Sequence, residues 1–480
     1  MFETPEIAWR AIAPELALVG GAILTLLIDA FRPEVRRVVL AFFTLASVGL
    51  AAWFTFDLKD TRAVVMQGTL AVDGVALFGK LILLSTCAMT VVISYQYLSR
   101  RRIHRGEYYP LILFATAGMT LLAGANDLLL IFLALELLSL CLYVLAGFAR
   151  RDDASQESAL KYFLLGAFSS AFLLYGIAII YGATNTTNVS LISQVSATTN
   201  TRLMFFAMGL LAVGFGFKVA AVPFHMWTPD VYQGAPTSVT GYMAAGTKAA
   251  GFIALMRVFL VGLGPLQWDW RPVLWIVAVL TMVVGAVVAI TQTDVKRLLA
   301  YSSIAHAGYV LIGVIAANPD GTAGALFYLL VYAFMTLGAF ATVIASAPGG
   351  RERLHLNEWT GLGQRHPVFA GLMTLFLLSL AGIPPTAGFM GKFFVFKAAI
   401  DAGETGLVVV GVLTSAIAAF FYLRVIVAIW LQDPAPSDVG LGPSRALVGG
   451  LAVAAAATVA IGVWPQGLIE LARNAGVFTG

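Results

Sequence analysis

The chain has 480 residues, of which 60% are hydrophobic and only 11% charged, against roughly 25% charged in an average soluble domain. So few charges cannot cover a water-soluble globule of this length, and a mean hydropathy of +0.89 points to lipid as the solvent. Lys and Arg (29) exceed Asp and Glu (25) by only +4, too mild and too scattered an excess for a nucleic-acid surface.

About 14 apolar segments of spanning length follow one another, at roughly 11–29, 38–56, 71–98, 108–125, 127–148, 158–182, 203–222, 237–262, 272–291, 298–316, 322–346, 367–400, 406–431 and 445–464. Their apolar runs are continuous rather than alternating, which excludes a β-barrel. The spacing leaves no room for an extramembrane domain, so an all-α polytopic membrane protein is expected, with 1–480 as a single transmembrane unit. The N-terminus, MFETPEIAWR, is acidic, and no cleaved signal peptide is expected. Connections carry turn chemistry at Asn126-Asp127, Asn318-Pro319-Asp320-Gly321 and Asp433-Pro434-Ala435-Pro436. The Thr-, Asn- and Ser-rich stretch 183–201 reads as a surface loop. Cys87 and Cys141 lie inside apolar runs, with neither disulfide nor metal or iron–sulfur spacing.

Of the 29 Lys and Arg, 15 fall in loops that follow odd-numbered segments and 6 on the opposite side. The positive-inside rule puts the richer loops in the cytoplasm and both termini outside. The other 8 lie within apolar segments, where a charge costs at least about 2.5–3.5 kcal/mol and marks an ion or proton path by default. In chain order, Glu15 is expected at the interface, and Asp73 and Lys80, two turns apart on one face, as a structural pair. Glu136 stands in the middle of the fifth segment, LLLIFLALELLSLCLY. Lys161 is one turn inside the sixth, where snorkelling and function are both open. Lys218 nears the end of the seventh, ahead of Pro223, which should break the helix and free carbonyls beside Lys218 and His225. His225 itself can shuttle protons or cap the break. Lys248 is mid-way along the eighth segment among small residues that admit close packing or water. His306 sits mid-way along the tenth, as a proton carrier or a neutral core histidine. Lys392 follows Gly382, Pro384 and Pro385, which should break the twelfth. Arg257 and Arg424 read as packing or interface anchors, and the aromatics as lipid-facing or packing residues.

Two broken segments five apart, each with a lysine near the break, suggest two repeats with the ion path at the breaks. An odd repeat length would invert the halves, as 108–262 and 272–431. No phosphate-binding G-x-x-x-x-G-K-[ST] is present and GFGFKV lacks the third glycine of a dinucleotide loop. The driving energy must therefore come from an ion gradient or from partner subunits. A stand-alone solute transporter remains an alternative, although little besides lysines and one glutamate would form its pocket. A purely structural subunit leaves the cost of the central charges unexplained.

Four stretches together, ALELLSLCLYVLAGF, GFGFKVAAVPFHMWTPDVYQGAPT, QTDVKRLLAYSSIAHAGY and GIPPTAGFMGKF, resemble the antiporter-like membrane subunits of respiratory complex I, the proton-pumping NADH–quinone oxidoreductase. The resemblance runs from about the fourth segment to the thirteenth. It implies 14 helices in two inverted five-helix repeats with helices 7 and 12 broken, in a bacterial inner membrane. It further implies proton transport coupled to quinone reduction in partner subunits that hold NADH, FMN, iron–sulfur clusters and quinone. The other membrane subunits of the complex would be its neighbours, and no cofactor or metal is expected in this chain. By the same resemblance Glu136 and Lys218 match an ion pair, Lys248 a central relay lysine, Lys392 an exit-side group and Lys161 a lysine of secondary importance. A lysine at 392, where a sister branch has glutamate, marks the branch within the family. Subunits of cation/proton antiporters and membrane-bound hydrogenases share these motifs and are the runner-up. A lysine is a workable carrier only where its surroundings can be switched, since its free pKa of about 10.4 holds the proton too firmly.

Overall fold

The computed structural model describes residues 7–32, 34–196, 199, 201–347, 351–434 and 441–479. The acidic start at 1–6 and the Ala435-Pro436 half of one expected turn lie outside them. The described chain is mostly helical, in the order α1 (Ala13–Phe31), α2 (Arg37–Asp57), α3 (Gly74–Arg100), α4 (Tyr108–Gly124), α5 (Leu128–Ala146), α6 (Asp153–Thr184), α7 (Val189–Ser196), α8 (Thr201–Val219), α9 (Trp227–Gly234), α10 (Thr237–Tyr242), α11 (Lys248–Met256), α12 (Gln267–Ile290), α13 (Val295–Ala316), α14 (Pro319–Ala345), α15 (Leu362–Arg365), α16 (Pro367–Ala381), α17 (Ala387–Asp401), α18 (Thr405–Leu431), α19 (Arg445–Val463) and α20 (Gln466–Ala475). Two π-helical turns, Met243–Thr247 and Arg257–Gly262, flank α11 and make 237–262 one continuous rod. Among the described residues twelve helices are long and apolar enough to cross a membrane, and α4 and α16 are shorter apolar helices.

Acidic and amide residues of the connections start the helices, because their side chains satisfy N–H groups that the first turn leaves orphaned. Asp73, Asp127, Asp294 and Asn318 accept from Ala76, Leu129, Arg297 and Gly321 at 2.8, 2.9, 2.9 and 2.6 Å. Layering follows from apolarity on all sides. The rod 237–262, α13 and α14 are 89–94% buried over their most apolar windows, whereas α1, α2, α6, α12, α18 and α19 are 33–39% buried and turn Phe42, Trp53, Phe168 and Leu413 outward. Close approach rests on glycine where backbones meet: a Cβ on Gly285 of α12 would fall 2.6 Å from the backbone nitrogen of Ala305 on α13.

Each proline break separates two helices. α8 ends before Ala220, in the left-handed region at φ +60°, and α16 ends at Gly382, at φ +85°. The carbonyls freed are used: Phe217 O accepts from the Trp227 indole at 3.0 Å, while Leu380 O and Ala381 O accept from Lys392 at 3.2 and 2.8 Å.

The polar ends are tied within themselves. At one end Glu352, in the connection after α14, accepts from Tyr97 (2.5 Å) and Thr237 (2.6 Å), with Lys296 and Arg101 at 3.5 and 3.7 Å. Burial alone would raise its pKa, but those two cations and two hydroxyls hold the carboxyl below the usual range. At the other end Arg257 clasps Asp73 through both guanidinium nitrogens at 2.8 and 3.0 Å.

Four expectations are corrected here. Asp73 and Lys80 do not pair. Asp73 takes Arg257, and Lys80 takes Glu15 at 2.8 Å, so Glu15 is buried in an ion pair rather than set at the interface. Arg257 is likewise a buried ion-pair partner, not an anchor. The stretch 183–201 is not all loop: Val189 and Ile192 are buried and wind 189–196 into α7. A short antiparallel hairpin, β1 (Ala63–Val65) with β2 (Leu70–Val72), precedes α3, closed by Met66, Gln67 and Gly68 at positive φ. Its strands are too short to be read from alternation.

Candidate functional site

The site is built from the breaks and the middle of the rod. α5 presents Glu136, Ser139 and Tyr143 on one face, at helical spacings of three and four. Glu136 is half-buried and accepts a hydrogen bond from Ser170 of α6. Lys218, next to the last residue of α8, is buried and donates to Ser139 Oγ at 2.6 Å. Its Nζ lies 5.8–6.0 Å from the ring centres of Phe217, Tyr143 and Tyr162, within cation–π range. Glu136 and Lys218, expected as an ion pair, do not touch; each is held by a serine hydroxyl instead.

Lys248 opens α11 directly after a π turn, the kind of local irregularity that often marks a functional position. Its Nζ donates to Ser303 O of α13 at 2.5 Å and also to Ser303 Oγ. One turn along α13, His306 Nδ1 is 2.6 Å from the Tyr328 hydroxyl and Nε2 3.2 Å from that of Tyr422, which also bonds Ser302. Hydroxyls donate or accept, so either imidazole tautomer fits this cradle. Lys392 of α17 completes its shell with Ser415 Oγ at 2.7 Å, and its Nζ stands 4.7 Å from the ring centre of Tyr309. It borders a cleft of about 490 Å³ whose walls include Phe389, Phe393 and Phe396. No carboxylate forms an ion pair with Lys218, Lys248 or Lys392 among the described residues; neutral oxygens hold all three.

The other candidates lie elsewhere. Lys161 is part-exposed and pairs with Glu157 (2.6 Å) and Asp230 (2.8 Å), and Asp230 also takes Arg297 at 2.7 Å. His225 is half-buried between α8 and α9, and its Nδ1 has no hydrogen-bond partner among the described residues. Arg424 caps the end of α12 by donating to Ile290 O at 2.6 Å and to Gln292 O. The sequence reading missed every neutral partner: Ser139, Ser170, Ser303, Ser415, Tyr328 and Tyr422. The tyrosines read as packing residues, yet Tyr328 and Tyr422 hold His306. The available signal was spacing, since Ser139 is one turn from Glu136 and Ser303 one turn from His306.

Apolar helices packed around an interior file of Lys, His, Ser and Tyr define a polytopic membrane protein that keeps ionisable groups out of water. Residues 125–418 match the family of NADH:quinone oxidoreductase/Mrp antiporter transmembrane subunits. The chain is 45% identical to NADH-quinone oxidoreductase subunit N of Salinispora arenicola, over 99% of this chain and 98% of that one. A chain of respiratory complex I from Thermus thermophilus superposes with a TM-score of 0.82 at 36% identity, covering 95% of this chain and 98% of that one. A chain of the Mrp complex from Dietzia shares the fold at a TM-score of 0.84 with 22% identity, covering 98% and 97%. The protein belongs to the subunit N branch of the NADH:quinone oxidoreductase/Mrp antiporter family.

Proposed function

We propose that this chain is a proton-translocating membrane subunit of a bacterial NADH–quinone oxidoreductase, moving protons from cytoplasm to periplasm. Electrons pass from NADH to quinone in partner subunits, which carry the FMN and iron–sulfur clusters. The observation that carries the reading is the buried series Lys218, Lys248, His306 and Lys392, each held by hydroxyls or carbonyls that tolerate both a charged and a neutral lysine or histidine. Glu136 stands one turn from the serine that holds Lys218 and tunes that lysine's charge electrostatically. Change transmitted from quinone reduction alters this balance, and the proton passes from Lys218 toward Lys248, Lys392 and the outside. Lys161, His225 and His306 are secondary candidates.

The proposed architecture has 14 spans, counting α4 as one, the rod 237–262 as one, α8 with α9 as one broken span and α16 with α17 as another. Two inverted five-helix repeats then cover 108–262 and 272–431. Breaks five spans apart, each beside a lysine, support this. Both termini face the periplasm, which the 15-to-6 distribution of Lys and Arg supports. The 45% identity to a subunit N, against 22% to the Mrp chain, favours this reading over an antiporter subunit.

The test is Glu136→Gln and Lys218→Ala, singly and together, in membranes checked for intact complex. Each single variant should lower proton pumping and coupled quinone reduction. The double variant should be non-additive, because both act on one coupling. Strictly additive losses, or normal pumping by assembled single variants, would count against the relay.

A further inference from the structure

The two central lysines turn their amines away from each other. Lys218 reaches to Ser139 on α5 and Lys248 to Ser303 on α13. Their helices nevertheless meet: a Cβ on Gly251, one turn after Lys248, would lie 3.5 Å from Lys218 Cβ. No hydrogen bond among the described residues joins the two amine environments, so a proton that visits both needs an intermediary.

Helix α9 packs against α6, which carries Tyr162, and against α13, which carries Ser303. Thr228 and Tyr232, one turn apart on α9, are fully buried, and neither hydroxyl makes a hydrogen bond of good geometry among the described residues. Buried hydroxyls of this kind are satisfied by ordered water. Tyr232 borders both environments. On one side its neighbours are Tyr162 and Trp227: the Tyr162 ring lies 6.0 Å from Lys218 Nζ and stacks on Trp227 at 4.7 Å, and Trp227 meets the Tyr232 ring at 6.1 Å. On the other side its hydroxyl comes within weak hydrogen-bonding reach of Ser303, the residue that holds Lys248, and stands beside Tyr332. Phe340 packs on its ring at 6.4 Å and holds the ring in place.

We propose that Tyr232, assisted by Thr228, is the relay group that carries protons between Lys218 and Lys248; this rests on the lysine relay proposed above. The Lys218 ammonium gives its proton to water held at Thr228 and Tyr232. The Tyr232 oxygen takes a proton from that water and releases its own to Ser303 Oγ. Ser303 in turn passes its original proton to the neutral Lys248 amine. Only O–H and N–H bonds are made and broken: one proton leaves Lys218, one arrives at Lys248, and both hydroxyls end neutral.

The experiment compares Tyr232→Phe, Thr228→Val, Thr228→Ser and Lys218→Ala in membranes with intact complex, reading the rate of NADH-driven proton pumping and the solvent deuterium isotope effect on it. Tyr232→Phe keeps the ring contacts and should lower the pumping rate about tenfold, the equivalent of roughly 1.4 kcal/mol in a barrier. Thr228→Val should lower it less, and Thr228→Ser should restore it, because serine keeps the hydroxyl. The isotope effect should grow in the impaired variants. If Tyr232→Phe does not assemble, the Thr228 pair decides: valine at the parental level overturns the proposal. Parental pumping by Tyr232→Phe overturns it directly. If Lys218→Ala is impaired in that same experiment, the lysine relay stands and only the link is wrong; if Lys218→Ala also pumps normally, the relay itself fails.

Discussion

Replacing Gly382 by alanine should disarm Lys392 without altering it. Gly382 has φ +85°, and a Cβ there would sit 2.9 Å from Lys392 Cδ and 3.1 Å from Nζ. The backbone conformation itself costs a non-glycine residue of order 1 kcal/mol or more. The larger effect is local: the lysine chain is the flexible partner and will give way, leaving some of its bonds to Leu380 O, Ala381 O and Ser415 Oγ. A hydrogen bond to a charged group is worth about 1.5–3 kcal/mol. Losing one should slow the step that uses this amine about tenfold or more. Pumping and quinone-reductase rates in membranes, with intact complex verified, make the assay. Gly371→Ala, on the helix before the break, is the control and should be silent, because beyond its own helix backbone no described residue places a heavy atom within 4 Å of the methyl carbon that alanine would add. If Gly382→Ala pumps like its parent, the shell around Lys392 does not govern its use.

Other outcomes follow from the same geometry. Lys392→Ala should lower proton release with little effect on assembly. Lys392→Glu should keep part of the activity with its pH profile moved, and Lys392→Arg should be poor because arginine does not unload its proton; an arginine variant at parental level would mean Lys392 supplies only fixed charge. Asp73→Asn leaves Arg257 uncompensated in a fully buried site and should destabilise the subunit by about 3–5 kcal/mol, read as loss of assembled complex on mild heating; unchanged thermal stability would refute it. Burial, with Arg37 nearby, lowers the His104 imidazole to about 4. The unfolded chain then takes up a proton near pH 6.5 that the folded chain refuses until about pH 4, so stability is greatest above 6.5 and falls as pH drops between the two. His104→Gln should flatten that fall in a Tm-against-pH series. A reporter fused at the C-terminus should be active only outside the cytoplasm.

What could be read from sequence was what lipid makes expensive. Glu136, Lys218, Lys248 and Lys392 stand out because a charge in an apolar run has no ordinary explanation, and Pro223 and Pro384-Pro385 stand out because proline removes a backbone donor. Partners at long sequence separation were not legible. Asp73 finds Arg257 rather than nearby Lys80 because the end of the rod 237–262 packs against the start of α3, a contact no local pattern encodes. Serine and tyrosine are common in helices and signal nothing alone, so the neutral shell around the lysines emerged only once helices were placed together. The segment α7 went unread because its buried face consists of few residues within a polar stretch.

The neutral shell around Lys248 and Lys392 has a consequence for direction. A carbonyl accepts from an ammonium or an amine alike, and a serine hydroxyl can reverse from acceptor to donor. When either lysine loses its proton, no anion is left stranded in a medium that cannot screen it, and none has to be re-neutralised before the next proton arrives. As a conductor, such a file is indifferent to which way it is run. The vectorial character of transport must therefore be imposed from beyond these two shells, through the charge near Lys218 and the partner subunits, and the same file would carry protons backward whenever the gradient outweighed the redox drive.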